Sequence, residues 1–141
     1  MLAQNFKTAD ELDITQAQKD ALVKTLVLME TGKVRHIDFD KLSNCYKLSN
    51  CYRKDRSFSG LFNMGYSYAH MDCGIVACIR GTAEMVGGVE IPVDRLTPAL
   101  HELFYQWGPC RCQDPSVEQA ATALRSYLTT GDARWDLAII S

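Results

Sequence analysis

Apolar positions recur at helical spacing in four stretches of this chain, separated by glycine, proline and capping residues. The first spans 15–31, where Leu22, Leu26 and Met29 fall at i, i+4, i+7 and Val23 and Val27 widen the face. Thr15 and Gln18 have the spacing of a capping box, and Gly32 suits the left-handed residue that ends a helix. The second, 73–86, is the longest run with almost no water-seeking residues, with Asp72 placed as its cap and Gly87-Gly88 as its stop. At about 100° per residue, Ile75, Val76, Ile79, Ala83 and Val86 share one side. Gly74, Ala77, Cys78 and Gly81 form a strip of small residues, leaving Cys73, Arg80 and Glu84 as the polar stripe. A helix apolar around most of its circumference belongs inside a domain. The pattern therefore predicts a buried central helix, packed on the first helix, with the small strip admitting a neighbouring backbone.

The third stretch, 98–107, opens at Thr97-Pro98 and carries Leu100, Leu103, Phe104 and Trp107 before Gly108-Pro109 ends it. The fourth, 115–130, starts at Asp114-Pro115-Ser116, places Val117, Ala120, Ala121, Leu124, Tyr127 and Leu128 on one face, and closes at Gly131. Period-two alternation appears twice. Val89 to Val93 reads as a short edge strand limited by Pro92, and Trp135, Leu137 and Ile139 alternate in a tail expected to dock on the domain. The expected fold is mainly α, a single domain over 1–141 with about four helices around the buried central one and minor strand. The segment between Arg35 and Phe62 leaves an α+β arrangement as the alternative.

That segment holds Lys-Leu-Ser-Asn-Cys-Tyr twice in succession, at 41–52. Six helical steps would turn the copies onto different faces, so the duplication reads as a surface loop or hairpin. The net charge of −2 gives no general attraction to nucleic acid or anionic membrane. It conceals seven basic residues against three acidic ones between Lys33 and Arg56. With Tyr46, Tyr52 and Phe58 these would suit single-stranded nucleic acid, a reading the acidic remainder opposes. Leu22 to Met29 is too short to cross a bilayer and carries Lys24, and the first ten residues lack the pattern of a signal peptide. The expected location is the cytoplasm, where the six cysteines would be free thiols.

From Phe62 onward the chain resembles small uncharacterised bacterial and phage proteins. The shared pattern comprises Phe62 and Met64, then Cys73, Gly74, Ala77, Cys78, Ile79 and Gly81, then Leu103-Phe104, and Ala121, Leu124, Leu128, Gly131 and Trp135. The resemblance implies domain limits and helix order and carries no assigned activity. Asp72-Cys73-Gly74 also resembles the nucleophile segment of ubiquitin-like-protein proteases. That resemblance implies a thiol-dependent hydrolase with Cys73 as nucleophile at a helix N-terminus, for which the chain supplies only His70 or His101 as base. The expected glutamine ahead of the cysteine is missing, however, and the upstream His36 has no matching acid at the right spacing. His70, Cys73, Cys78, Cys110 and Cys112 supply enough soft ligands for zinc, although neither Cys-x4-Cys in a helix nor Cys-x-Cys has the usual knuckle spacing. No phosphate loop or dinucleotide fingerprint is present, so no nucleotide cofactor is expected. With no complete catalytic set, the reading that follows is a non-enzymatic binding or assembly module that takes a protein partner or a second copy. A zinc domain and a cysteine hydrolase are the alternatives.

Overall fold

The computed structural model describes residues 5–37, 60–64, 69–71, 74–105 and 115–139. The chain is mainly helical with a small sheet. Helix α1 (Ala9–Leu12) is followed by α2 (Gln16–Glu30), and each opens with a reciprocal capping box, Thr8 with Glu11 and Thr15 with Gln18. Each box satisfies two backbone donors that a helix start would otherwise leave bare. Gly32, at φ +76°, takes the left-handed position just past α2. Along α2 the side chains of Ala21, Leu22, Leu26 and Met29 are buried, whereas Val23 and Val27 are half-buried. Thr25 is buried on the same face because its hydroxyl donates to the Ala21 carbonyl at 2.8 Å.

Four short strands follow, β1 (Arg35–His36), β2 (Leu61–Phe62), β3 (Ala69–Met71) and β4 (Gly74–Ala77), in sheet order β1-β2-β4-β3. The first two pairings are parallel, with His36 opposite Phe62 and Phe62 opposite Ala77, and β3 joins β4 antiparallel. Helix α3 (Ile79–Gly87) leaves β4 directly. The run expected to form one long central helix is therefore strand for its first third. A short apolar run fits a buried strand and a buried helix equally well by periodicity, and the β-branched pair Ile75-Val76 favours the strand.

Cys78, not Asp72, caps α3, its Sγ accepting from the Gly81 N–H at 3.5 Å. Gly88 ends the helix at φ +61°, as the double glycine predicts. Shortened in this way, α3 is one-sided. Ile79, Gly81, Thr82 and Ala83 are buried against the domain, while Arg80, Glu84, Met85 and Val86 are half-buried. It packs on α2, as expected, and Lys24 of α2 donates to the Val86 carbonyl at 3.1 Å.

The expected edge strand at 89–93 does not form. The Ile91 N–H donates to Glu84 Oε2 at 2.7 Å and its carbonyl accepts from Arg80 Nε at 2.8 Å, so two α3 side chains take the backbone groups a ladder would need. A 3₁₀ turn, Val93–Arg95, leads instead to α4 (Pro98–Tyr105), where Thr97 Oγ1 accepts from the Leu100 N–H. Helix α5 (Val117–Thr130) begins at the Ser116–Gln119 capping box and ends at Gly131, φ +86°. Its predicted face, Val117, Ala120, Ala121, Leu124, Tyr127 and Leu128, is buried throughout.

The tail is a 3₁₀ helix, Trp135–Ile139, not an alternating strand. It docks as expected, with the Trp135 indole N–H shared between the Glu102 and Leu103 carbonyls of α4, each at 3.2 Å. The tandem hexapeptide lies outside the described residues.

Candidate functional site

The helix expected to start at Cys73 starts at Ile79. Met71 pairs with Gly74 across the antiparallel β3–β4 ladder, and the helix dipole acts from Cys78 onward. The physical reason for assigning Cys73 an activated thiol therefore passes to Cys78. That thiol is 4 % exposed, belongs to the core and accepts the Gly81 N–H, which makes it a helix cap. His70 sits in β3 opposite Ile75. Cys73, Cys110 and Cys112 lie outside the described residues. Among the described residues no three His, Cys, Asp or Glu side chains stand close enough to hold a metal ion. His101 is exposed on α4 with its ring 5.4 Å from that of Tyr105.

A groove of about 730 Å³ lies between the end of α2, the outer face of α5 and the tail. Met29 and Ala121 lie along it, Leu137 stands on its rim, and three threonines line α5. Those threonines are less polar than their sequence suggests. Thr122 Oγ1 donates to the Glu118 carbonyl at 2.9 Å, Thr129 to Arg125 at 2.8 Å and Thr130 to Ser126 at 2.7 Å. Each hydroxyl proton is committed within the helix, so an occupant meets a methyl group and an oxygen that can only accept.

One wall is fixed by charge. Arg125 Nε and Nη2 donate to the two Glu30 carboxylate oxygens at 2.9 and 2.5 Å, and the guanidinium stands 5.7 Å from the Phe6 ring centroid. The Glu30 hydrogen bonds raise the Arg125 pKa above its ordinary value. A bidentate pair of this kind fixes orientation as well as distance, holding α5, α2 and the N-terminal segment in one register.

Periodicity could not single out the groove residues. Glu118, Thr122, Arg125 and Thr129 recur at helical spacing and read as the solvent face of α5. The available signal was the pair of threonines at 122 and 129, four residues after Glu118 and Arg125, a spacing that permits the hydroxyl-to-carbonyl bond. No helix among the described residues is long and apolar enough to cross a membrane. No protein-family model, curated protein or solved structure matches the chain.

Proposed function

We propose that this chain is a small, non-enzymatic binding and assembly module of the cytoplasm that pairs with a second copy of itself through the groove between α2 and α5. The observation that carries the reading is the position of Leu137. It is one of two large apolar side chains exposed among the described residues, at 41 %, and it stands on the rim of the groove. A two-fold interface must be self-complementary, the same patch supplying both the projecting group and the recess. Here both lie side by side, so each copy can place its Leu137 in the other's groove against Ala121, Met29 and the threonine methyls. The Arg125–Glu30 pair on the wall is internally balanced, which leaves Glu118 as the remaining charged side chain of the lining. The overall negative charge argues against nucleic acid as the partner.

Sedimentation velocity across a wide concentration range tests this. The wild-type chain should pass from monomer to dimer, and Leu137→Asp should remain monomeric with an unchanged circular dichroism spectrum. A wild-type chain that stays monomeric at the highest concentration would overturn the reading. Metal analysis of protein purified without chelator or nickel resin tests the zinc reading, and selective labelling by a thiol probe near neutral pH tests the hydrolase one.

A further inference from the structure

A second, smaller pocket of about 370 Å³ lies where the end of α1, the start of α4 and the end of α5 meet. Its charged lining is acidic, comprising Glu11, Asp13, Glu102 and Asp132. Two cations stand nearby and both have carboxylate neighbours, Lys7 at 4.0 Å from Glu11 and Arg134 at 2.7 Å from Asp136. Glu11 is itself engaged by the Thr8 N–H at 2.9 Å. Asp13, Glu102 and Asp132 therefore set the sign, with Asp132 partly offset by Arg134. The C-terminal end of α5 and the N-terminal end of α4 both line the pocket.

Acidic side chains on a surface are ordinary, but the residue behind these is not. Tyr127 lines the pocket with its side chain 0 % exposed, and its hydroxyl is buried without a hydrogen-bond partner. Burial, with the Asp13 carboxylate nearby, pushes the phenol pKa up, so it stays a neutral hydroxyl. An unpaired buried hydroxyl is destabilising unless something enters to bond it. Asp13 is held in the left-handed region, φ 57°, and is the only non-glycine residue with positive φ among the described residues. Asp13 and Tyr127 both line the pocket.

We infer that this pocket binds a small aliphatic di- or polyamine, with one ammonium group bridging the Asp13 carboxylate and the Tyr127 oxygen and another reaching Glu102 or Asp132. An ammonium has three donors and no acceptor, matching a site made of carboxylate oxygens and one unsatisfied hydroxyl. A compact metal ion needs several ligands converging on one point, and no three candidate side chains converge here. Charges spaced along a chain match carboxylates spaced around a pocket. The volume lies at the low end of the roughly 300–1,000 Å³ typical of small-molecule sites, too small for a folded partner.

Titration calorimetry of the full chain with spermidine tests the inference. The expected result is saturable binding at one site, weakened about tenfold in Asp13→Asn, the loss of one charge-assisted hydrogen bond. Tyr127→Phe should weaken binding several-fold without lowering the melting temperature, because the phenyl ring keeps its packing. Asparagine tolerates the left-handed backbone, so Asp13→Asn should fold, and circular dichroism checks it. Magnesium chloride at matched ionic strength should not displace spermidine. Absence of saturable heat, unchanged affinity in either variant, or displacement by magnesium as effective as by another amine would overturn the assignment. The last result would mean a diffuse counterion atmosphere, and unchanged affinity in Tyr127→Phe would mean a hydroxyl that meets only water.

Discussion

Gly87 of α3 lies so close to Ala21 of α2 that a Cβ added to it would meet the Ala21 Cα at 3.1 Å and the Ala21 methyl closer still. Ala21 is itself buried, so neither backbone can retreat without opening the core. This approach runs through Gly87, which the pattern along the chain marks as the helix stop, not through the strip of Gly74, Ala77, Cys78 and Gly81 from which it is expected. Gly87→Ala should destabilise the fold by about 1–3 kcal/mol in urea denaturation through overpacking. That outweighs the roughly 1 kcal/mol by which alanine is favoured over glycine in a helix. Ala21→Gly introduced with it should recover part of the loss, and the double-mutant cycle measures the coupling.

Cys78 separates a capping role from a merely space-filling one. Serine places an oxygen, a preferred cap atom, where the thiol accepts the Gly81 N–H, so Cys78→Ser should change stability by less than about 1 kcal/mol. Cys78→Ala leaves that buried N–H without an acceptor and should cost about 0.5–2 kcal/mol. Equal losses in the two variants, read by thermal denaturation, would mean that packing of the sulfur outweighs its hydrogen bond.

The acid limb of the stability profile should carry the capping box of α1. Hydrogen bonds from the Thr8 backbone and side chain hold the Glu11 pKa below the ordinary glutamate value of 4.5. A depressed carboxyl pKa stabilises the folded chain above the unfolded value, and that contribution is lost as pH falls through the folded one. Wild type should therefore exceed Glu11→Gln in melting temperature near neutrality, with the gap closing below the glutamate range. A gap independent of pH would assign the effect to uncharged contacts.

Trp135→Phe isolates the hydrogen bonds that dock the tail. Phenylalanine retains most of the buried ring but leaves the Glu102 and Leu103 carbonyls without the indole donor. A loss of about 1–2 kcal/mol is expected in chemical denaturation. The same change should weaken self-association, because the rim that presents Leu137 is held in place by this contact.

Thr122→Val probes the chemistry of the groove. With its hydroxyl proton already given to the Glu118 carbonyl, the side chain offers an occupant a methyl and an acceptor oxygen, and valine replaces that oxygen with a second methyl. Self-association measured by sedimentation should tighten or stay level. A marked weakening would show that the threonine oxygen takes part in recognition.

The sequence alone determined both ends of α2 and α5, the start of α4 and the stop of α3, while α1 was not expected. Thr15 with Gln18, Ser116 with Gln119, and Gly32, Gly88 and Gly131 act through bonds and φ values within a few residues, so local pattern carries them. The buried face of α5 was legible for the same reason, being a period along one element. Tertiary structure decided the rest. Gly74 to Ala77 is strand because β2 and β3 are there to pair with it, a long-range fact invisible to the periodicity of an all-apolar run. Ile91 leaves the ladder because Arg80 and Glu84 reach its backbone first. Leu137 and Tyr127 exchange their expected significance in the same way. The alternation that groups Leu137 with Trp135 fails when the tail winds into a 3₁₀ helix, leaving one exposed at 41 % and the other buried at 2 %. Tyr127 reads as core, and it is core, but whether its hydroxyl finds a partner depends on α1 and α4, which approach only when the chain has folded.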